Sequence, residues 1–386
     1  MKKKVIAVTA ARSEYDLMSS VFSLLNNNAN FEFSLIVAGP HLSSTFGLSV
    51  DEIKKDGFHI CDYCFNLVDS DEKIARAMAI GNQIPLLAQT FYREQPDIVI
   101  VAGDREDVLS VCITAAYMAI PVAHFFGGDI AKDGNIDNAA RYASSKFANI
   151  HFVTLPEHKQ TLLKLGEDEW RVHVVGNPGL DRFKSVKPLG RIELFDRLNM
   201  PELDKYGLVI KHSIISEVNS QEIDMLITME ALLESGLKWF INSPNSDSGS
   251  AGIRKVITKY CVAYPDKFFS FKNLDRTSYV NLLRNASVLV GNSSSGLLEA
   301  PSLGLPVVNI GQRQRGRTHG DNVLFVDNKK DDILSAIERC LNDQTFLNSV
   351  KKCENPYGSG NSSELILEIL ENLDITEDLI FKNITY

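Results

Sequence analysis

Two acidic side chains stand where β-like runs end in the first half of the chain. Asp104 comes one residue beyond the end of the apolar run 98–102, after Gly103, and Asp129 follows the next such run, 121–125. Parallel strands bring their carboxyl ends to one rim of a sheet, so we expect both carboxylates on the same rim. Two carboxyl groups that face one substrate can move protons to and from it. The positions of the two acids therefore predict acid–base chemistry at this rim.

A second polar group lies close by in the sequence. Arg105 adjoins Asp104, and Asp137 is followed four residues later by Arg141. An ordinary i,i+4 ion pair on a helix is an alternative for Asp137 and Arg141. Helix N-capping is an alternative for Asp104 and for Asp137. A cluster of these residues that faced a phosphate site would favour the catalytic interpretation.

The segment VLVGNSSSGLLEAPSLGLPVV, residues 288–308, passes from a β-like run through a small polar turn into a helix-like run. Free backbone N–H groups, the hydroxyls of residues such as Ser293 and Ser294, and the positive end of a helix favour phosphate. A plain serine N-cap is the alternative. Glu299, one turn into the predicted helix, could accept hydrogen bonds from ribose hydroxyls or lie at the surface.

An arginine cluster follows the next β-like run, 306–310, with Arg313, Arg315 and Arg317 in NIGQRQRGRTHGDN. Guanidinium groups bind phosphate oxygens in a bidentate manner. Because the cluster lies at the carboxyl end of a strand in an acidic protein, it favours a diphosphate site over a solvated loop.

Other polar residues also follow β-like runs. His212 lies after the run 207–210, Asn245 lies in NSPNSDSGS after another run, and Arg12 follows the first run of the chain. A lone histidine is more often structural than catalytic. The common position of these residues at strand ends nevertheless places them on the rims where ligands collect.

Two familiar nucleotide motifs are missing from the sequence. Leu297 and Leu298 occupy the positions where a P-loop needs Lys and Ser or Thr, which argues against a P-loop NTPase. The first strand–helix turn reads TAARSEY rather than G-x-G-x-x-G, which argues against a nicotinamide-dependent dehydrogenase.

The elements that must position these residues are short β-like runs in alternation with helical patterns, typical of doubly wound parallel sheets. The runs form two series, at 4–9, 33–38, 98–102, 121–125 and 150–154, and at 207–210, 238–241, 268–271, 287–290, 306–310 and 323–326. Weak strand character and the segment GNPGLDR place a connection near residues 176–190. We therefore predict an α/β fold with two Rossmann-like doubly wound domains, 1–178 and 179–361, and an interdomain cleft.

Composition narrows the class of protein. The 386 residues include 40 basic and 49 acidic side chains, a formal charge of -9, which argues against a general binder of nucleic acid or anionic membranes. The apolar runs are too short to span a bilayer, and the run behind MKKK stops at Arg12, so a cytoplasmic location is expected. Cys61 and Cys64 form a C-x-x-C without a second pair, which favours ordinary thiols over zinc, and no metal is predicted.

Together these residues resemble the UDP-N-acetylglucosamine 2-epimerase family, most of all its hydrolysing branch, which makes N-acetylmannosamine for sialic-acid synthesis. The resemblance is carried by GNSSSGLLEAPSLGLPVVNIGQRQRGR and GDREDVLSVCITAAYMAIPVAHFFGGD, with support from ARSEYDLM and PNSDSGS, and runs along nearly the whole chain. It implies a GT-B fold with UDP bound mostly by the second domain. It also implies a C-terminal helix, within about 362–386, that returns to the first domain, and a homodimer or homotetramer.

The resemblance further implies roles for individual residues. The catalytic carboxylates would be Asp104, Asp129 and Asp137, with Arg105 and Arg141 around the sugar and His212 beside the phosphates. The UDP contacts would be Ser293, Ser294, Arg313 and Arg12 at the diphosphate, Glu299 at the ribose, and Tyr279 and Asn245 near the uridine.

The sequence departs from the family pattern near the acids. Relatives commonly read Gly-Gly-Glu where this chain reads Gly-Gly-Asp, so the carboxylate of Asp129 is one methylene shorter and must approach from another angle or through water. Asn138 and Tyr142 stand where relatives often have a second acid and a histidine. The loop after Asp129 is one residue longer. These differences leave the assignment of base and acid open.

The implied reaction converts UDP-N-acetylglucosamine and water into UDP and N-acetylmannosamine through a glycal-like intermediate. Fixed positive groups would stabilise the departing diphosphate and carboxylates would transfer protons, a route with no cofactor. One alternative is a hydrolysing 2-epimerase of UDP-2,4-diacetamido-2,4,6-trideoxyglucose for legionaminic-acid synthesis. Others are reversible epimerisation that retains UDP, a GT-B glycosyltransferase, and a non-catalytic UDP-sugar binder.

Overall fold

The computed structural model describes residues 2–70, 73–130, 136–200, 202–213, 220–244, 250–272 and 274–382. The chain divides into two compact units. Unit 1 comprises Met1–Arg182 and Tyr357–Tyr386, and unit 2 comprises Phe183–Pro356. The boundaries expected from the sequence, at 178 and 361, each lie a few residues from these divisions.

Unit 1 is built on a parallel sheet. Its strands are β1 (Lys3–Thr9), β2 (Phe31–Ala38), β3 (Ile60–Cys64), β4 (Ile98–Ala102), β5 (Val122–Phe125), β6 (Ile150–Val153) and β7 (Val172–Val174). Over the described residues the strand order is β3-β2-β1-β4-β5-β6-β7, with parallel pairing throughout. All five residues of β4 are buried, as expected for a strand covered on both faces.

Helices cover the two faces of this sheet. They are α1 (Arg12–Asn27), α2 (Val50–Lys55), α3 (Lys73–Glu94), α4 (Glu106–Tyr117), α5 (Asp137–Phe147) and α6 (Pro156–Lys164). In α1 the buried residues Tyr15, Met18, Phe22 and Leu25 recur at intervals of three and four, so one stripe of the helix faces the core. The chain enters unit 2 through α7 (Gly179–Ser185).

Unit 2 repeats this architecture with its own core. Its strands are β8 (Tyr206–Ile210), β9 (Lys238–Asn242), β10 (Phe268–Phe271), β11 (Val288–Gly291), β12 (Val307–Ile310) and β13 (Val323–Val326). Within the described ranges they form a parallel sheet in the order β10-β9-β8-β11-β12-β13. Its helices are α8 (Arg191–Arg197), α9 (Gln221–Glu234), α10 (Ser250–Ala263), α11 (Arg276–Arg284), α12 (Ser295–Leu298), α13 (Lys330–Asn342) and α14 (Gln344–Lys351).

The C-terminal segment belongs to unit 1. It contains α15 (Ser362–Asn372) and α16 (Glu377–Ile380). Ile366, Leu370 and Leu379 are buried in the same apolar cluster as Met18 and Phe22 of α1. The segment after Tyr357 therefore completes the core that the first half of the chain begins.

Polar contacts fix the end of this segment, here called the C-terminal latch (residues 377–382). Arg171 Nη1 and Asn149 Nδ2 each donate to the carbonyl of Leu379 at 2.9 Å. Lys382 Nζ donates to the carbonyl of Ala148 at 2.7 Å and pairs with the fully buried carboxylate of Glu167. Because Ala148 directly follows α5, the latch also caps the helix that carries Asp137 and Arg141.

The predicted fold class, α/β with two Rossmann-like domains, is confirmed. The sequence patterns missed β3 and β7, which are short strands at the sheet edges with a single buried residue each. No helix in the described ranges is long and apolar enough to cross a membrane.

One helix is shorter than predicted. The run after β11 forms only α12 (Ser295–Leu298), and Ala300–Leu303 continues as a 3₁₀ turn. Pro301 cannot donate the next helical hydrogen bond, and Gly304 is left-handed with φ of 59°, so the chain turns away. Glu299 therefore lies at the end of a single helical turn and not inside a longer helix.

Candidate functional site

The first polar cluster of unit 1 is organised by Arg141. Its side chain is 7% exposed, pairs with the carboxylate of Asp104, and donates from Nη1 to the carbonyl of Asp129 at 2.6 Å. One guanidinium thereby joins the turn after β4 to the turn after β5. The structure brings the two acidic residues that the sequence placed on one rim, Asp104 and Asp129, together at the carboxyl ends of neighbouring strands, and it adds Arg141 as their common partner.

His124 of β5 helps to fix the turn that carries Asp104. Its Nε2 lies 2.8 Å from the carbonyl oxygen of Gly103, and its Nδ1 lies 3.2 Å from Ser145 Oγ. Burial lowers the pKa of His124 to about 3, so the ring is neutral and its Nε2–H donates to the carbonyl. The residue before Asp104 is thus held by a fixed hydrogen bond.

Asp137 takes a different partner from the one the i,i+4 spacing suggested. Its carboxylate lies 3.6 Å from Arg76 on α3, and Arg76 also binds Glu106 through two hydrogen bonds of 2.7 and 3.0 Å. Arg141 pairs with Asp104 and not with Asp137. Burial would raise the pKa of Glu106, but the Arg76 guanidinium holds it below its usual value. Neither Asp104 nor Asp137 is an N-cap, since Arg105 and Ile136 hold those positions.

Asp129 follows a tight turn at the end of β5. Phe126 and Gly128 are left-handed, with φ of 65° and 76°. The Asp129 carboxylate accepts from the N–H of Ile130 at 2.8 Å and lies 3.5 Å from Nε2 of His158 on α6. The sequence patterns did not identify His158, because it belongs to no motif and no other candidate site residue lies in α6.

Arg12 and Arg105 are exposed at the same ends of the strands. Arg12 forms an ion pair of 3.2 Å with Glu52. Glu14, two residues on, has a buried oxygen, and burial together with the nearby Asp107 raises its pKa to about 8. Glu14 is a further acid near the turn after β4 that the sequence patterns did not single out.

In unit 2 the turn after β11 is tied to the end of β8 by Asn292. Its Oδ1 accepts from the N–H of His212 at 2.8 Å, and its Nδ2 donates to the carbonyl of His212 at 2.9 Å. The Asn292 carbonyl accepts from Arg313 Nη1 at 3.0 Å and from Gln314 Nε2 at 3.1 Å. His212, Asn292, Arg313 and Gln314 therefore form one cluster, in which the sequence had identified His212 and Arg313 alone.

The serine turn continues this cluster. Ser293 Oγ accepts from the N–H of Ser295 at 3.2 Å, while Ser294 makes no side-chain cap of α12. Tyr279 Oη lies 2.7 Å from Ser295 Oγ and 3.5 Å from Glu299, which also accepts from Ser295. Burial raises the pKa of Tyr279, so its hydroxyl stays protonated. The structure joins Tyr279 and Glu299 through Ser295.

The three arginines that follow β12 have different partners. Arg315 pairs with Asp327 at 2.9 Å, and Arg317 Nη1 donates to Gln314 at 3.1 Å. Among the described contacts, Arg313 is the member that reaches the turn after β11. Asn245, expected near the uridine, lies outside the described residues.

Comparisons with known proteins identify the family of the chain. The profile of the family described as UDP-N-acetylglucosamine 2-epimerase matches residues 23–371. The chain is 35% identical over 382 residues to UDP-N,N'-diacetylbacillosamine 2-epimerase (hydrolyzing) of Legionella pneumophila, covering 99% of each chain. It is 32% identical over 385 residues to GDP/UDP-N,N'-diacetylbacillosamine 2-epimerase (hydrolyzing) of Campylobacter jejuni, covering 99% of this chain and 98% of the other.

A solved structure shows the same fold. The crystal structure of UDP-GlcNAc 2-epimerase from Neisseria meningitidis bound to UDP-GlcNAc superposes with a TM-score of 0.79 at 19% identity, covering 95% of this chain and 99% of that chain. The profile match extends over most of the sequence, and both bacterial relatives match it from end to end. The chain belongs to the UDP-N-acetylglucosamine 2-epimerase family.

Proposed function

We propose that this enzyme is a hydrolysing UDP-sugar 2-epimerase whose substrate is UDP-N,N'-diacetylbacillosamine, that is, UDP-2,4-diacetamido-2,4,6-trideoxyglucose. The observation that carries the proposal is end-to-end similarity above 30% identity to two hydrolysing 2-epimerases named for that sugar. The family resemblance had put UDP-N-acetylglucosamine first and this sugar second. The two relatives favour UDP-N,N'-diacetylbacillosamine over UDP-N-acetylglucosamine.

The reaction needs proton transfer at C2 and departure of UDP from C1. A carboxylate takes the C2 proton, the C2–H electrons form a C1–C2 double bond, and the C1–O electrons leave with the diphosphate. Water then adds its oxygen to C1, and a proton returns to C2 from the opposite face. The products are UDP and free 2,4-diacetamido-2,4,6-trideoxymannose, and no net oxidation occurs.

The carboxylate cluster of unit 1 suits the proton transfers. Asp104, Asp129 and Asp137 are the candidate acids and bases, and Arg141 holds the first two at fixed positions. A carboxylate kept in one orientation by a buried guanidinium can accept a proton without first reorganising. Arg105, exposed beside Asp104, is the candidate contact to the sugar.

The cluster of unit 2 suits the diphosphate. Arg313 supplies a positive charge next to the serine turn, and Ser293 and Ser294 supply hydroxyls. His212 is held beside them by Asn292. Donors that are already in place stabilise the charge that develops on the departing diphosphate by a few kcal/mol each, about 3 for a well-placed donor. Glu299 and Tyr279 are the candidates for the nucleoside, and Arg12 of unit 1 is a further candidate for the diphosphate.

The proposal is tested by turnover of the purified protein on two nucleotide sugars. Each is incubated separately, UDP release is followed, and the freed sugar is identified by proton NMR. We expect release of 2,4-diacetamido-2,4,6-trideoxymannose with a kcat/KM far above that for UDP-N-acetylglucosamine. Asp104→Asn, prepared in parallel, controls for a contaminating enzyme. The proposal is wrong if the diacetamido sugar remains attached to UDP or is released without inversion at C2.

UDP-N-acetylglucosamine is the second candidate, favoured by the family to which the chain belongs. With this substrate the products would be UDP and N-acetylmannosamine. A higher kcat/KM for UDP-N-acetylglucosamine in the same assay would establish it in place of the first.

A further inference from the structure

His158 and Asp129 face each other in unit 1 although they come from separate elements. Nε2 of His158 lies 3.5 Å from Oδ1 of Asp129. The histidine side chain is 11% exposed and that of Asp129 is 27% exposed, so water screens the pair only in part. An imidazole N–H at this distance favours one orientation of the carboxylate.

The backbone fixes the distance between the two residues. Gly128 has φ of 76°, and a Cβ at that position would lie 2.3 Å from the carbonyl oxygen of His158. The turn after β5 therefore lies directly on the first turn of α6, where the N–H of His158 donates to Leu155 at 3.0 Å. A side chain at position 128 would clash with the backbone of His158, so this close approach requires glycine.

The other buried histidines of unit 1 have different surroundings. His41 lies within hydrogen-bond distance of the hydroxyls of Thr9 and Ser49. His151 bonds Glu167 at 3.0 Å, with both side chains fully buried. His124 bonds a backbone carbonyl. His158 differs because its partner is the partly exposed carboxylate of Asp129 at the strand-end rim, the residue whose backbone carbonyl accepts from Arg141. A histidine needed for packing alone would not require this partner.

The short side chain of Asp129 makes an orienting partner important. A carboxylate on a single methylene has few positions from which it can reach a substrate atom, and the N–H of Ile130 already holds one of its oxygens at 2.8 Å. Arg141 fixes the backbone of Asp129, and His158 lies against its side chain. Backbone and carboxylate are thus held from two sides.

We infer that His158 is a positioning residue for Asp129, whose carboxylate it orients for proton transfer at C2 of the sugar. This inference rests on the proposed function. His158 itself does not take the C2 proton, so its effect is transmitted entirely through Asp129.

The test compares two substitutions of similar size. His158→Gln keeps an N–H donor, whereas His158→Met fills the space without one. We expect His158→Met to lower kcat about 10- to 100-fold, at or below the low end of what a general acid–base group itself contributes, with KM changed less than about twofold. His158→Gln should recover most of the lost kcat. Lys159→Ala, on the same turn of α6, should leave both constants unchanged.

A double-mutant cycle with Asp129→Asn then separates positioning from packing. His158→Met should have no further effect on residual turnover once Asp129→Asn is present. Wild-type kcat in His158→Met, equal losses in the Met and Gln variants, or additive losses in the cycle would each overturn the inference. If the wild-type protein releases no 2-epimerised sugar, the proposed function is wrong. If the wild-type protein does release this sugar, the kinetics of the variants test the role of His158 alone.

Discussion

Arg141 is the residue on which the unit 1 cluster depends most directly. It is almost fully buried, pairs with Asp104 and binds the backbone of Asp129. Removal of one partner from a buried ion pair leaves the other charge uncompensated, whereas an exposed pair contributes little. Arg76, whose side chain is 50% exposed and pairs with Glu106, provides the matched comparison.

We expect Arg141→Met to lower the free energy of unfolding by about 3 kcal/mol, against less than about 1 kcal/mol for Arg76→Met. Urea denaturation of both variants measures the difference. Equal unfolding free energies for the two variants would show that the ion pair of Arg141 with Asp104 stabilises the protein no more than that of Arg76 with Glu106.

The unit 2 cluster makes a similar comparison possible between two arginines. Arg313 reaches the turn after β11, while Arg315 is engaged with Asp327. Arg313→Ala should raise the Kd for UDP about 10- to 100-fold, because a charge-assisted hydrogen bond is worth about 1.5–3 kcal/mol. Arg315→Ala should leave the Kd within about twofold. Titration calorimetry decides, and the reverse order of effects would move the diphosphate site away from Arg313.

The sequence identified these residues by position but not their partners. Asp104, Asp129 and Arg313 stand out because each follows an apolar run, and runs of that kind end on a common rim. The partners Arg76, His158 and Asn292 come from other elements, and their approach depends on how helices pack. No local pattern encodes that packing.

At the scale of elements, the strands were the most predictable part of the fold. Fully buried strands such as β4 read as unbroken apolar runs, whereas the edge strands β3 and β7 mix polar and apolar residues. The length of α12 was not predicted. The sequence patterns placed Glu299 inside this helix, but the helix ends at Leu298, shortly before Pro301.

The C-terminal latch makes the stability of unit 1 depend on pH. Burial alone would raise the pKa of Glu167, but the hydrogen bond from His151 and the charge of Lys382 lower it from 4.5 to about 2. A lowered carboxyl pKa stabilises the folded protein above about pH 4.5 and loses that contribution as the pH falls toward 2.

We therefore expect the unfolding free energy of the wild-type protein to fall between pH 4.5 and 2, and that of Glu167→Gln to fall less over this window. At neutral pH the variant should be less stable by about 3 kcal/mol, because Lys382 stays buried without its counterion. Glu169→Gln is the control, because the carboxylate of Glu169 pairs with Lys159 but is itself exposed. If the unfolding free energies of Glu167→Gln and the wild type changed in parallel with pH, Glu167 would not be the source of the pH dependence.

At the scale of the whole molecule, the fold class and family followed from the sequence, while the preferred sugar did not. Alternating β-like runs and helices restrict the chain to doubly wound sheets, and the serine turn and arginines indicate an anionic ligand. The groups at C4 and C6 of the sugar are uncharged and need no recognisable motif. The proposal of the diacetamido sugar therefore depends on overall similarity to two relatives named for that sugar.

The bond that breaks and the hydrogen that exchanges are the central features of the proposed reaction. Turnover of the diacetamido nucleotide sugar in deuterium oxide enriched with oxygen-18, read by mass spectrometry and NMR, reports on both. We expect one deuterium at C2 of the released sugar and no oxygen-18 in UDP, because the C1–O bond breaks. Oxygen-18 in the β-phosphate, or protium retained at C2, would contradict elimination of UDP by the carboxylate cluster.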